Sequence, residues 1–367
     1  MSFPTSLHDI LQYHSTIDPV SYGRTRNFLT GSVTRLSPYI SRGVISTRKV
    51  LDSLVQRGFT FDQCEVLVRE LAWRDYFQRV WQERDIDQNL RNPQEPLAGS
   101  GVCAALVNAS TGINGIDRCI RELYETGYMH NHARMYTAAL QCNIGQRSWP
   151  DGARWMYYHL LDGDWASNAC SWQWVAGVFS GKKYVANQEN INRYTGADQH
   201  KTFLDMPYEA FAEMNIPEAL KVAEPFQPET NLPASDVLPD DIQGNVYLYD
   251  YYNLDPDWHK GDQGLRILLL EPELFSRYPV SDACIRFVLE LGKNIPGLIV
   301  RSESFDSLSA KMPKAVIHYR EHPTTKHYRG ICEDREWMSA EVTGYFPSFF
   351  GYWKKLEKHM RSRFRAK

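Results

Sequence analysis

Apolar residues recur at three- and four-residue spacing from the start of the chain to about residue 222, and glycines and prolines interrupt the pattern. This periodicity predicts a helical region without strands. It predicts helices over residues 48–55, 62–82 and 115–126, the first capped by Ser46 or Thr47 and the last ended by Gly127. Ser37, followed by Pro38, predicts the capped start of a further short helix.

The pattern changes beyond residue 241. Short runs rich in β-branched, aromatic and aliphatic residues predict strands over residues 246–251, 266–271, 297–302 and 315–320, with a helix over 281–293. Strands that alternate with helices predict a small parallel sheet. Four prolines and several acids in residues 223–241 indicate a linker. We therefore expect a helical domain over residues 1–222, the linker over 223–241, an α/β domain over 242–330 and a basic helical tail over 331–367.

Composition narrows the class of protein. With 367 residues and 43% hydrophobic composition, the chain can form two domain cores. The absence of an eighteen-residue apolar run and of a secretory signal predicts a soluble, cytoplasmic protein without a membrane partner. The seven cysteines include no CxxC pair, so no metal site is predicted. A net charge of -3 argues against indiscriminate coating of nucleic acid, but it allows a local basic face.

The stretch from residue 111 to 180 concentrates polar and aromatic side chains. It contains a His-Asn-His-x-Arg-Met run, an Asp-Gly-Asp turn and five tryptophans. A plain helical core does not require so many specific side chains, so this stretch is the predicted functional region. Upstream, Glu70, Trp73, Arg74 and Phe77 share one face of the helix predicted over residues 62–82.

Five motifs together resemble the FAD-binding helical domain of the photolyase/cryptochrome family. In chain order they are VTRLSPYISRGVIS, VRELAWRDYFQ, GYMHNHARM, SWPDGARW and HLLDGDWASNACSWQW, and the resemblance covers about residues 22–184. It implies a mainly α fold, in which a helical photolyase-type domain binds FAD and is followed here by the small parallel α/β domain.

The resemblance assigns parts of the cofactor to particular residues. Those that match the family's phosphate region are Tyr22, Thr34, Leu36, Ser37 and Arg74. Val33 stands where the family usually has threonine, so one hydroxyl contact is not expected. Arg134 and Asp162 match a charge pair beside the flavin ring, Asp164 matches an acceptor at its pyrimidine edge, and Asn168 matches the residue that faces flavin N5.

The resemblance also implies a pocket for a pyrimidine dimer flipped out of DNA. Glu70 and Asn131 match polar contacts to the bases, Trp73 and Trp174 match the aromatic walls, and Met135 matches an apolar contact. Because a dimer is already poorly stacked, extruding it costs less than extruding a normal base. Damaged DNA is therefore the expected partner.

Two tryptophans, Trp172 and Trp149, match the inner and middle members of the chain that photoreduces the flavin in this family. Residues 88–110, where the third member is expected, contain no tryptophan. Other aromatic residues are therefore candidates for the electron path, namely Trp155, Trp165, Tyr157 and Tyr158.

The implied function is light-driven DNA repair, in which an electron from reduced FAD splits a cyclobutane pyrimidine dimer. Asn168 favours repair, because the family's light receptors often have Asp or Cys at that position. His132 departs from the arginine that is common there. Two alternatives remain: a cryptochrome-like blue-light receptor that signals through a partner without repair, and a flavin-binding remnant with a structural role.

The C-terminal segment weakly resembles part of the family's antenna domain, which indicates a permuted remnant of that domain or an unrelated appendage.

Overall fold

The structure is a computed structural model that describes residues 3–365. The chain divides into two compact units. The helical unit comprises Asp18–Val33 and Glu83–Pro228, and the mixed unit comprises residues 3–17, Thr34–Gln82 and residues 229–365. The helices predicted in residues 1–222 are thus divided between the two units.

Helices make up most of the chain before residue 222 and recur after it. In chain order they are α1 (Leu7–Ser15), α2 (Pro19–Thr25), α3 (Ser37–Ser41), α4 (Thr47–Gln56), α5 (Phe61–Glu83), α6 (Ala104–Val107), α7 (Asn114–Thr126), α8 (Asn131–Ala139), α9 (Trp149–His159), α10 (Trp165–Val175), α11 (Gln188–Thr195), α12 (Glu218–Lys221), α13 (Pro272–Arg277), α14 (Asp282–Gly292), α15 (Phe305–Ala310) and α16 (Phe349–Arg365). A π-helical turn, Leu140–Ile144, continues α8, and 3-10 turns cover Tyr208–Glu213 and Pro323–Thr325.

The caps explain where the predicted helices begin and end. The Ser46 side chain accepts a hydrogen bond from Lys49 N (3.0 Å) at the start of α4, and Gly127 ends α7 with a φ of 69°. Both predicted caps are confirmed, as are the helices α4, α5, α7 and α14. Ser37 is instead the first residue of α3, and its side chain does not cap that helix.

Residues 3–365 form two sheets. Their strands are β1 (Val102–Cys103), β2 (Ala223–Glu224), β3 (Gln243–Tyr249), β4 (Leu265–Leu269), β5 (Leu298–Arg301), β6 (Lys314–Arg320) and β7 (Ile331–Glu333). β1 pairs with β2 in antiparallel fashion, so the expectation of no strand before residue 222 is wrong. The other five form a parallel sheet in the order β5-β4-β3-β6-β7, the order of a doubly wound α/β domain.

The parallel sheet confirms the four predicted strands and adds β7. Alternation along β3 directs Val246 and Leu248 into a core that also contains Ile267, Phe305 and Leu308. The residues between them lie on the opposite face of the sheet, where they position the cluster described below. The tail predicted from residue 331 therefore begins with a strand of this sheet.

Part of the predicted linker is attached to the sheet. Asp236 N donates to the Val300 carbonyl oxygen (2.8 Å), and Val300 N donates to Asp236 Oδ2 (2.7 Å). Ser302 N donates to Ser235 Oγ (2.9 Å). Because β5 is an edge strand, these bonds cover backbone groups that would otherwise be exposed.

The terminal helix α16 explains why residues 34–82 group with the C-terminal region. Phe364 packs edge-on against Phe61 with ring centroids 5.8 Å apart, and Arg361 Nη1 lies 3.0 Å from Asp62 Oδ1. Before the helix, Met338 N donates to the buried carboxylate of Asp75 (2.9 Å). The apolar and charged faces of α5 thus both have partners in the C-terminal region.

Within residues 3–365, no helix has both the length and the apolar character needed to cross a lipid bilayer.

Candidate functional site

The His-Asn-His-x-Arg-Met run forms the start of α8. His130 is the N-cap, and its Nδ1 accepts a hydrogen bond from His132 N (3.2 Å). Asn131 is exposed, and Met135, one turn later on the same helix face, is half-buried. The structure therefore brings together two of the predicted lesion contacts in one partly exposed patch.

Arg134 pairs with Asp162, which lies in the turn before α10. Arg134 Nη2 lies 2.8 Å from Asp162 Oδ2 and 3.0 Å from Oδ1, and its Nε donates to the Met129 carbonyl oxygen (2.8 Å). The Asp162 side chain is 3% exposed and that of Arg134 is 21% exposed. A buried carboxylate is costly unless a cation compensates it, so this pair fixes α8 against the turn.

Asp164 and Asn168 are positioned by α10. Asp164 is the N-cap of that helix: Oδ1 accepts from Ala166 N (3.0 Å), and Oδ2 accepts from Ser167 Oγ (2.9 Å). Asn168 Nδ2 donates to the Ala153 carbonyl oxygen (2.8 Å), which sets the direction of its amide. The capping role of Asp164 was not predicted from the sequence.

The Asp-Gly-Asp turn requires its glycine for steric reasons. A Cβ on Gly163 would lie 3.0 Å from the Leu160 carbonyl oxygen and 3.1 Å from the Tyr157 ring. These distances are shorter than ordinary contacts, so a larger residue would shift the turn. Asp162 and Asp164 are thereby kept on a tightly packed turn.

Trp172 and Trp149 are both buried, at 2% and 1% exposure. Trp149 Nε1 donates to Asn89 Oδ1 (2.8 Å), which holds its ring at the start of α9. Trp172 on α10 packs directly on Gly152 of α9, since a Cβ there would lie 2.4 Å from Trp172 Cζ3. The close approach of these helices thus depends on Gly152.

We expect the added methyl group of Gly152→Ala to displace the Trp172 ring. Overpacking of this kind should lower the free energy of unfolding by about 1–3 kcal/mol. The displaced ring should also slow photoreduction of the flavin. Gly351→Ala is the matched control, because Gly351 is an exposed helical glycine whose added Cβ would meet Ser348 Oγ at 3.3 Å. That control is expected to be neutral or stabilising by up to about 1 kcal/mol. Urea unfolding and flavin absorbance under illumination measure both effects; equal behaviour of the two variants would contradict the tight packing.

Trp174, a predicted wall of the lesion pocket, and Trp155, a candidate for the electron path, differ in exposure. Trp174 is 37% exposed and lies near Tyr184, with ring centroids 5.9 Å apart. Trp155 is fully buried, and its Nε1 donates to the hydroxyl of Tyr124 (3.1 Å). Tyr124 itself is 39% exposed, and its hydroxyl donates to the Val107 carbonyl oxygen (2.7 Å).

His132, the residue that departs from the family pattern, is packed between Tyr136 and Tyr194, with ring centroids 5.0 and 4.7 Å away. Burial, together with the charge of Arg26, lowers the pKa of His132 to about 4. The side chain is therefore neutral at physiological pH, and it does not supply the positive charge that an arginine would.

The predicted residues Glu70, Trp73 and Arg74 lie half-buried on α5, in the mixed unit. Arg74 Nη1 donates to Ser41 Oγ (2.8 Å). Trp73 stacks on Phe349 of α16, with ring centroids 3.5 Å apart and an angle of 9° between the planes. One face of the predicted lesion wall is therefore covered by an aromatic ring of the same chain.

The remaining predicted phosphate residues occur in both units. Tyr22 lies half-buried on α2 in the helical unit, whereas Thr34, Leu36 and Ser37 belong to the mixed unit. Leu36 is buried, and its backbone N–H donates to Thr34 Oγ1 at 3.4 Å. Their contact with a phosphate stays a prediction.

The side chains of the helical unit fit a flavin by their chemistry. A flavin ring has N–H donors and carbonyl acceptors at its edge, and the set Arg134, Asp162, Asp164 and Asn168 offers a cationic donor, two carboxylate acceptors and an amide. All four are held by α8, α10 and the turn before α10, and α8 packs on α10. Each therefore has a fixed place in one unit.

Comparison with protein families identifies this region. Residues 66–225 match the model of the FAD-binding domain of DNA photolyase. This region is therefore similar to the photolyase/cryptochrome family. FAD is accordingly the cofactor of this domain, and the fold expected from the resemblance, a helical photolyase-type domain with a small parallel α/β domain, is confirmed.

The relatives include both photolyases and cryptochromes. The deoxyribodipyrimidine photo-lyase of Streptomyces griseus is 35% identical over 154 residues, which are 41% of this chain and 33% of the relative. A cryptochrome DASH of Vibrio parahaemolyticus is 32% identical over 204 residues, covering 48% of this chain and 45% of the relative. The solved cryptochrome of Synechocystis sp. PCC6803 is 25% identical, with a TM-score of 0.48, over 53% of this chain and 44% of that one. The chain thus spans less than half the length of these relatives.

Proposed function

We propose that this protein uses light to split cyclobutane pyrimidine dimers in DNA, with FAD as its cofactor. The observation that carries the proposal is the arrangement of Asn168 and the Arg134–Asp162 pair within the unit that matches the FAD-binding domain. The residue at position 168 separates the alternatives, because the family's receptors often have Asp or Cys where this chain has Asn.

When bound and reduced, FAD supplies the electron that light transfers to the dimer. The protein's own residues bind and orient. Arg134 would place a positive charge beside the flavin, Asp162 would compensate that charge, and Asp164 would accept from a ring N–H. Asn168, whose amide is oriented by the Ala153 carbonyl oxygen, would present an uncharged group to the flavin.

The lesion would be bound by polar contacts and stacking. Asn131 is exposed and Trp174 is 37% exposed, so both are accessible to a flipped base. Met135 adds apolar contact beside Asn131. Stacking of a base on an aromatic side chain contributes about 1–3 kcal/mol. Among the predicted lesion contacts, Trp174 and Trp73 are therefore expected to contribute most to the binding free energy. Glu70 is proposed to accept hydrogen bonds from the dimer bases.

A blue-light receptor without repair activity is the second candidate. The stack of Phe349 on Trp73 favours it, because a covered wall is poorly suited to receive a base. Relatives named cryptochrome DASH are consistent with it as well. In that case the flavin would be photoreduced, dimers would persist, and the partner would be a signalling protein.

Glu70→Ala separates lesion contact from cofactor binding. We expect dimer repair to fall at least about tenfold, since a hydrogen bond to a charged group contributes roughly 1.5–3 kcal/mol, whereas FAD content stays unchanged. Glu65→Ala is the control, because Glu65 lies on the same helix and is 36% exposed beside Arg69. Repair is measured as light-dependent recovery of thymine absorbance in a thymine-dimer oligonucleotide; an unchanged yield in Glu70→Ala would remove this residue from the site.

A further inference from the structure

Three potential metal ligands converge in the mixed unit, although they are separated widely in the sequence. His259 lies in the loop after β3, His318 lies in the middle of β6, and Glu333 is the last residue of β7. One ligand atom from each lies within 4.8 Å of the other two. The parallel pairing of β6 with β7 and the loop from β3 together create this cluster, which no local sequence motif reveals.

The ligand atoms face one another at distances close to those of a metal site. Glu333 Oε1 lies 2.8 Å from His259 Nε2 and 3.1 Å from His318 Nδ1. In a tetrahedral zinc site with bonds of about 2.0–2.1 Å, neighbouring ligand atoms are about 3.3 Å apart. The two distances to Glu333 Oε1 are thus within about half an ångström of those in such a site, and all three ligand atoms lie within 4.8 Å of one another.

Each ligand is also oriented by an outer hydrogen bond. His259 Nδ1 lies 2.7 Å from Asp262 Oδ2, His318 Nε2 lies 3.3 Å from Asn245 Oδ1, and Trp258 Nε1 donates to Glu333 Oε2 at 2.9 Å. Histidines that ligate metals characteristically donate their other N–H to a carboxylate or carbonyl oxygen. The arrangement here has that form at both histidines.

The outer hydrogen bonds leave the inner ring nitrogens facing one carboxylate oxygen. Asp262 Oδ2 accepts from His259 Nδ1, and Asn245 directs its oxygen to His318 Nε2 because its Nδ2 donates to the Tyr247 hydroxyl oxygen (3.3 Å). His259 Nε2 and His318 Nδ1 both face Glu333 Oε1, to which they donate when they carry a proton. A metal ion that replaces those protons would meet two imidazole nitrogens and one carboxylate oxygen at the same place.

The His259 ring is held firmly. It stacks on Tyr247 with centroids 4.2 Å apart and planes 18° from parallel. Arg266 Nη2 donates to the carbonyl oxygens of His259 (2.7 Å) and Asp262 (3.0 Å), which ties the loop to β4. A ring that is already held in place loses little conformational entropy when it binds an ion.

From this geometry we propose that His259, His318 and Glu333 bind one divalent transition-metal ion, with zinc as the best match. Two imidazole nitrogens and one carboxylate oxygen are ligands that zinc uses, and the set leaves a fourth position for water. The three side chains are 21%, 14% and 30% exposed, so an ion and a water molecule have access from solvent. This site is independent of the function proposed for the helical unit.

To test the proposal, the FAD-loaded protein is first dialysed against a chelator and is then titrated with zinc. We expect one zinc per chain by calorimetry and by elemental analysis. His318→Ala should abolish this binding, and Asp262→Ala should weaken it about tenfold or more, as loss of an outer-shell partner does. Circular dichroism and urea unfolding of each variant report that the mixed unit is still folded.

Two controls exclude other sources of zinc binding. His200→Ala removes a histidine that is 69% exposed and pairs with Asp198, and Cys332→Ser removes the exposed thiol next to Glu333. Both should bind zinc as the unchanged protein does. Equal binding by His318→Ala and the unchanged protein, loss of binding in Cys332→Ser, or no zinc bound at all would overturn the proposal.

Discussion

Replacing Arg134 with alanine is expected to lower the free energy of unfolding by about 3 kcal/mol and to remove most of the bound FAD. The reason is the Asp162 carboxylate, which is 3% exposed and would be left in its buried place without its arginine. Breaking a buried ion pair from one side costs about 3–5 kcal/mol, and the partial exposure of Arg134 places this case at the lower end. Urea unfolding and the flavin released on denaturation give the two readouts.

Two further variants sharpen that test. Asp162→Asn should cost less than Arg134→Ala, because Arg134 keeps its bond to the Met129 carbonyl oxygen and reaches solvent. Arg193→Ala, in an exposed part of α11, should change the unfolding free energy by less than about 0.5 kcal/mol. A larger loss in Asp162→Asn than in Arg134→Ala would mean that the buried carboxylate is not the costly group.

Replacing Phe349 with alanine is expected to have two effects of opposite sign. The variant should unfold more easily by about 3–4 kcal/mol, because Phe349 is 3% exposed and packs on Trp73, Tyr76 and Trp353. The protein that remains folded should bind a thymine-dimer oligonucleotide about tenfold more tightly, since Trp73 regains a free face and base stacking contributes about 1–3 kcal/mol.

The neighbouring residue provides the control for Phe349. Phe350 is 73% exposed, so Phe350→Ala removes the same side chain from the same helix without uncovering Trp73. It should change neither stability nor dimer binding appreciably. Dimer affinity is measured by anisotropy at low temperature on FAD-loaded protein. Unchanged affinity in Phe349→Ala would show that Trp73 is not a wall of the lesion pocket.

Sequence periodicity predicted the long elements well. The helices α4, α5 and α7 and the strands β3 to β6 repeat their apolar residues often enough for the spacing to be informative. The two-residue strands β1 and β2 and the three-residue strand β7 are too short to show any period, and only their partners make them strands.

In the candidate site, too, some contacts were predicted from the sequence and others were not. The pairing of Arg134 with Asp162 was predicted from the family resemblance, and the structure contains it. The stack of Phe349 on Trp73 was not predicted, because the two residues are far apart in the sequence and α16 has no matching motif. The packing of Trp172 on Gly152 was missed for a similar reason: a glycine's role depends on what lies opposite it.

The cluster of His259, His318 and Glu333 could not be predicted from sequence motifs. The cysteine spacing excluded the common zinc motifs, and no metal site was predicted. Ligands supplied by a loop and two strands have no fixed spacing, so only the topology of the sheet brings them together.

Light-dependent repair tests the central claim most directly. The purified, FAD-containing protein is mixed with a thymine-dimer oligonucleotide and a reductant, and thymine absorbance is followed in blue light and in darkness. The proposed function predicts recovery of absorbance in light only. A flavin that is reduced by light while the dimers persist would contradict repair and would support the receptor function instead.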